Sequence, residues 1–233
     1  MAKQHLSGLN APKSWGIKRK EIKWVVRPNP GPHKLKECIP LNLLVKNLLK
    51  YAKTTREVKS ILNKGEIIID KKVRKDHKFP LGIMDVLEIP KLNEYYRIFL
   101  DNKNKFVLAK IKKEDTNLKP FKIIDKTNLK NKKIQLNLYG GKNLITDKDI
   151  YKVGDTLIID LNNNNIKSHL KLEKGSLIYL IGGKHKGEIG NLESIEKPKG
   201  ISGRTEIVLD IGKRKINTLK EHAFVINKDL NLI

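Results

Sequence analysis

Helical periodicity is confined to one short part of this chain, and that limit decides what it can fold into. Leu41, Leu44, Val45, Leu48, Leu49 and Ala52 recur at helical spacing, which predicts a helix with one apolar face. Thr54-x-x-Glu57 forms a capping box that opens a second, shorter helix, with Val58, Ile61 and Leu62 inward and Gly65 at its C-terminal stop. The apolar runs that follow are brief: Glu66–Ile69, a tight turn at Asp70-Lys71-Lys72, Val73-Arg74, then Met84–Ile89. They predict a small sheet beneath the two helices, spanning 41–90 and closed by Pro90.

Beyond residue 90 the pattern is that of strands. Tyr95–Leu100, the turn Asp101–Asn104 and Phe106–Ile111 read as a hairpin. Phe121–Ile124, Lys133–Leu138 and Thr156–Asp160 follow, with turns at Gly140-Gly141 and Gly154-Asp155. Residues 91–170 are therefore expected to form an all-β central domain, with Asn162–Asn165 as a loop or linker. The remainder, 171–233, carries short strands at Ser176–Ile181, Glu188–Ile195, Glu206–Ile211 and Ala223–Ile226. Glycines at its corners predict a small, strongly bent β-barrel.

Residues 1–40 have a different character. Lys3, Lys13, Lys18, Arg19, Lys20, Lys23, Arg27, Lys34 and Lys36 stand against the acid Glu21 over the first 36 residues. Two indoles, Trp15 and Trp24, and the stretch Arg27-Pro-Asn-Pro-Gly-Pro-His-Lys34 lie among them. So few apolar residues and so many prolines cannot bury a core of their own. A basic, stiffened arm that becomes ordered on a polyanion is the expectation. The indoles have two possible platforms, nucleic acid or the protein's own domains.

Charge extends that reading to the whole chain. Its 233 residues hold 49 Lys+Arg against 25 Asp+Glu, a formal net charge of +24. Self-repulsion on this scale calls for a counter-charged partner. Nucleic acid fits better than a membrane surface. Apolar runs such as Leu177–Ile181 fall far short of the roughly 20 residues a membrane span needs, and no signal-peptide core follows the N-terminal charges. A cytoplasmic protein is expected. The lone cysteine, Cys38, excludes an internal disulfide and a cysteine-cluster zinc site.

Catalytic chemistry finds no foothold. Gly182-Gly-Lys-His-Lys-Gly187 has the spaced glycines of a phosphate loop, but Glu188-Ile189 follows where Lys and Ser or Thr would be needed. The six histidines, His5, His33, His77, His169, His185 and His222, show no metal-ligand spacing, and no nucleophile elbow or paired-carboxylate pattern occurs. No enzyme activity, cofactor, metal or small-molecule substrate is expected. What remains is an RNA-binding surface. In the extension its candidates are Lys3, Lys13, Trp15, Lys18, Arg19, Lys20, Arg27, His33, Lys34 and Lys36. In 41–90 they are Lys46, Lys50, Arg56, Lys59 and Lys64 opposite the apolar stripe, with Lys71, Lys72, Arg74 and Lys75 beside them. Lys184, His185, Lys186 and Arg204 supply the C-terminal part.

Two resemblances sharpen this. Gly175–Ile195, with its apolar strand, Gly187 in the loop, Gly190 and an apolar return, resembles the KOW motif of ribosomal proteins and transcription factors. Asn10-Ala-Pro-Lys-Ser-Trp15, Arg27–Lys34 and Ile39-Pro-Leu41 resemble the N-terminal signature of the archaeal and eukaryotic small-subunit ribosomal protein family S-four-e. Asp70–Arg74 and Pro80–Val86 resemble that family's S-four-type RNA-binding domain, and Gln135–Leu138 and Tyr151–Asp155 its central domain. Cys38, where serine is more usual, and Tyr139-Gly140, in place of His-Asp, depart from it. The short C-terminal tail fits an archaeal member.

The resemblance implies an α+β, multidomain protein: extension 1–40, S-four-type domain 41–90, central β domain 91–170 and KOW barrel 171–233. It implies a structural constituent of the small ribosomal subunit, bound to ribosomal RNA and neighbouring ribosomal proteins. A pseudouridine-synthase type of RNA-modifying enzyme also uses S-four-type domains, but 91–170 offers no catalytic-aspartate motif. A KOW-containing transcription elongation factor is the other alternative.

Overall fold

A computed structural model describes residues 5–18, 20, 22–196, 203–212 and 214–227. The chain divides into two compact units, Met1–Asn117 and Leu118–Ile233. Among the described residues it is mostly β, and its strand pairs are antiparallel.

The first unit opens on a ribbon, β1 (His5–Ser7) against β2 (Trp24–Val26), with Leu6 and Val25 buried on one face. β3 (Ile39–Pro40) leads into α1 (Leu41–Leu43). The expected long first helix is shorter than its pattern. After Leu43 the coil widens over Leu44–Leu48, the Leu49 amide donates to the Leu44 carbonyl at 3.0 Å, and Lys50 turns left-handed at φ 60°. The apolar residues Leu41, Leu43, Leu44 and Val45 are all buried, so the wider turn suits a segment enclosed on more than one side.

α2 (Thr55–Asn63) follows its pattern closely. The Thr54 hydroxyl accepts from the Glu57 amide while the Glu57 carboxylate accepts from the Thr54 amide, and Val58 and Leu62 are buried. Gly65, at φ 72°, takes the left-handed position that ends the helix.

The sheet of this unit has the order β5-β4-β7-β8-β9. β4 (Ile68–Ile69) and β5 (Lys72–Val73) form a hairpin whose turn residues Asp70 and Lys71 both have positive φ, matching the right-handed twist of the strands. β6 (Pro80–Leu81) pairs with β3, closing the chain segment 39–81. β7 (Val86–Ile89) is buried at every position. Pro90 does not close the unit. It starts a single helical turn, and Asn93 at φ 53° returns the chain as β8 (Glu94–Leu100) alongside β7. β9 (Phe106–Lys110) completes the expected hairpin. The sheet thus runs past residue 90, the expected boundary, to residue 110.

The second unit holds two five-stranded sheets. The first is built from β10 (Leu118–Asn128), β11 (Ile134–Leu138), β12 (Lys142–Thr146), β13 (Thr156–Asp160) and β14 (Ile166–Leu170), in the order β12-β11-β10-β13-β14. Its core gathers Phe121, Ile123, Leu136, Leu138, Leu157 and Ile159. Asn162–Asn165 is a hairpin turn between β13 and β14, not a linker. The second sheet contains β15 (Leu177–Leu180), β16 (Ile189–Glu196), β17 (Glu206–Asp210), β18 (Lys215–Leu219) and β19 (Ala223–Val225), in the order β18-β17-β16-β15-β19. Ile178, Leu180, Leu192, Ile207, Leu209 and Val225 pack its core.

Candidate nucleic-acid interface

The apolar stripe of α2 dictates where its charge goes. With Val58 and Leu62 packed inward, Arg56, Lys59 and Lys64 are left exposed, and Lys50 is exposed just before the helix. Lys46 is half-buried. The Asn42 amide donates to the Thr55 hydroxyl at 3.2 Å, and the Asn42 backbone amide donates to the His77 carbonyl at 2.9 Å. These bonds bring the loop 76–79 to the helices. Burial and the neighbouring Lys59 charge both lower the pKa of His77.

The same loop holds the proline arm. The Asn29 amide donates to the Lys78 carbonyl at 3.0 Å, and its side chain donates to Asp76 at 2.8 Å. A recess of about 520 Å³ opens there, lined by Arg27, Pro30, Pro32, Lys34 and Lys78 among others. No carboxylate stands among its described lining residues. Prolines give the walls a fixed shape and withhold N–H donors. The nearest carboxylates, Asp76 and Asp85, are engaged by Asn29 and His33 behind the lining, which leaves Arg27, Lys34 and Lys78 as its charged groups.

Two of the extension's expected contacts turn inward. Trp15 is 2% exposed, and its indole N–H donates to the Cys38 carbonyl at 2.5 Å. His33 is buried, with Nε2 at 3.1 Å from both carboxylate oxygens of Asp85. The Trp15 indole N–H and His33 Nε2 are both used on the protein itself. They anchor the arm to the folded body. Cys38 is buried beside them, and burial first, then Glu37 and Asp85, pushes its thiol up to about 12.

Other candidates divide in the same way. Lys13, Lys18, Lys20, Lys34 and Lys36 are exposed and Arg27 is half-buried, whereas Lys3 and Arg19 lie outside the described residues. Lys72 and Lys75 are exposed. Lys71 instead pairs with Glu88 at 3.0 Å and donates to the Thr116 hydroxyl at 2.7 Å. Arg74 is half-buried, its guanidinium 4.3 Å from the Phe79 ring centroid. Lys71 is thus held by the fold, and Arg74 packs on Phe79. In the C-terminal sheet Lys184 and Arg204 are exposed and Lys186 half-buried, while His185 Nδ1 lies 3.4 Å from Glu188.

Sequence reasoning missed Lys78, whose place in the recess depends on a contact to Asn29 far along the chain. It also left Trp24 and His5 out of the candidate surface, although Trp24 is 58% exposed. Alternation around Trp24-Val-Val26 could have signalled it, since Val25 alone faces inward. Among the described residues no group of His, Cys, Asp and Glu side chains could hold a metal ion, and no helix is long and apolar enough to cross a membrane.

Comparison with known proteins bears on this surface. The model of the ribosomal family S4e matches residues 92–166, and that of the RS4NT (NUC023) domain matches residues 2–36. The small ribosomal subunit protein eS4 of Archaeoglobus fulgidus is 41% identical over 228 residues, covering 98% of this chain and 95% of the relative. Its counterpart in Methanosphaera stadtmanae is 38% identical, covering 100% and 95%. The crystal structure of the 30S ribosomal protein S4e from Thermoplasma acidophilum matches at a TM-score of 0.71 and 28% identity, covering 84% of this chain and 99% of that one.

Proposed function

The chain belongs to the ribosomal S4e family and is a structural constituent of the small ribosomal subunit; we propose that it holds folded ribosomal RNA through the basic face of its first unit. The family is of a structural, non-enzymatic kind. The observation that carries the proposal is the recess between Arg27, Lys34 and Lys78, which lacks a described carboxylate, with exposed Arg56 and Lys59 on the helix tied to the same loop. Phosphates and RNA shape are the natural ligands of such a surface, with limited base readout.

In this reading residues 1–40 are an RNA-embedded extension latched to the body by Trp15 and His33. An S-four-type domain begins at residue 41, a central β domain follows, and 171–233 form a KOW barrel whose basic loop at Lys184 makes a further contact. The partners are small-subunit ribosomal RNA and neighbouring ribosomal proteins in the cytoplasm, and the protein has no catalytic role. A titration with a small-subunit ribosomal RNA fragment at graded salt tests it. If roughly ten cationic side chains neutralise phosphates, the log–log slope is about −7 to −9. A slope near zero contradicts the proposal.

A further inference from the structure

Among the described residues, one face of the ribbon at the start of the chain is without cover. Leu6 and Val25 occupy the inner face. On the outer face, Ser7 stands opposite Trp24 in the register, and so small a partner leaves the indole open. Trp24 is 58% exposed, in contrast to Trp15 at 2%. His5, also exposed, lies diagonally across the ribbon with its ring centroid 5.7 Å from the indole and tilted 56° to it. The Lys23 ammonium sits 5.9 Å from the indole centroid.

An indole is a large apolar surface to leave in water, and one held on a paired strand is pre-set for a flat partner. Its surroundings select the partner's charge. Lys13, Lys18, Lys20 and Lys23 are exposed in the same stretch of chain, and over the first 36 residues nine Lys and Arg stand against the single acid Glu21. A flat, apolar ligand with attached negative charge is a nucleotide. Inside a duplex the base faces are already stacked on one another, so the ligand must be an unstacked base.

We propose that Trp24, with His5 beside it and Lys23 at its edge, is a stacking platform for an unpaired nucleobase of the bound RNA. The proposal rests on the ribosomal RNA reading above and adds to it a contact with a base, where the recess and α2 meet phosphates. The platform lets the extension distinguish single-stranded RNA from duplex, which a purely electrostatic arm does not.

The test uses the full chain carrying Trp15→Phe, so that Trp24 is the sole indole, titrated with short oligoadenylate and separately with duplex RNA. Binding is followed by anisotropy of a labelled RNA and stacking by indole emission. The expected result is saturable quenching by the single strand and little by the duplex. Trp24→Leu should weaken single-strand binding by roughly 5- to 150-fold, the range that loss of one aromatic stack gives, and leave duplex affinity within about twofold. If Trp15→Phe fails to fold, the natural chain serves instead: the share of its emission quenched by acrylamide belongs to the exposed indole, and oligoadenylate should protect it. Oligoadenylate that binds without altering Trp24 emission or its quenching overturns the platform while leaving the phosphate contacts intact, and then a neighbouring protein covers this face. Loss of both single-strand and duplex binding in the natural chain removes the RNA reading itself, and the platform with it.

Discussion

His33 Nε2 lies 3.1 Å from both carboxylate oxygens of Asp85, a pair separated by 52 residues and buried from solvent. The pairing ties the proline arm to the body of the first unit. Asp85 also accepts from the Gly82 amide at 2.8 Å, and the Gly82 backbone lies close against the imidazole. A Cβ at Gly82 would come within 2.3 Å of that ring.

This latch predicts opposite results from a structural and an RNA-binding role for His33. His33→Ala removes a buried donor to a carboxylate and should cost about 1.5–3 kcal/mol of stability. Gly82→Ala should also destabilise, by forcing the imidazole out of its place. Urea denaturation followed by Trp15 emission measures both. Full stability combined with weakened RNA affinity in His33→Ala would restore the histidine to the RNA surface.

A buried lysine predicts a pH dependence. The Lys122 ammonium donates to the carbonyls of Lys220 at 3.2 Å and Glu221 at 2.7 Å, joining β10 to the turn before β19. Burial first, then Lys220, lowers its pKa from 10.5 to about 8, with Glu221 opposing. Between those values the unfolded chain holds the proton and the folded chain does not, so this group's contribution to stability rises with pH. Below about pH 8 both states are protonated and its penalty is constant, on the order of 3 kcal/mol. Urea midpoints from pH 7 to pH 10 should therefore climb more steeply for the natural chain than for Lys122→Met. Parallel slopes would contradict this.

The exposed and committed lysines should separate in binding experiments. Arg56→Glu with Lys59→Glu should weaken binding to the RNA fragment and make the salt slope shallower by about one for each phosphate that is no longer neutralised. Lys71→Met should instead lower stability, because its ammonium serves Glu88 and Thr116. Equal RNA affinity and slope for the double variant would mean that α2 faces away from the RNA.

Cys38 should be inert in the folded state. A thiol pushed up to about 12 holds almost no thiolate at pH 8, and its sulfur is buried. A chromogenic disulfide reagent should label it only after denaturant is added. Rapid labelling of the native protein would show that the arm opens around Cys38.

The fold was legible where a pattern repeats locally. Thr54 and Glu57 announce the start of α2, Val58 and Leu62 its inner face, and Thr156–Asp160 reads as the strand it is. In the second unit the strands that escape a reading of the sequence, β12, β14 and β18, are all sheet edges. An edge strand such as Ile166-Lys-Ser-His-Leu170 buries little and so carries few apolar residues to betray it. The site divided on the same ground. Exposed Arg56 and Lys59 follow from a helical period, but the fates of Trp15 and Trp24 do not. Each is an indole in a basic tail, and what separates them is the Cys38 carbonyl, 23 residues from Trp15. His33 was unreadable for the same reason, since its partner Asp85 belongs to another part of the chain.

The most direct test of the central claim is a sucrose gradient of native extract, probed for this protein across the ribosomal fractions. The protein should migrate with the small subunit and remain there through a moderate-salt wash. Recovery in the free fractions, or with RNA polymerase, would contradict the account.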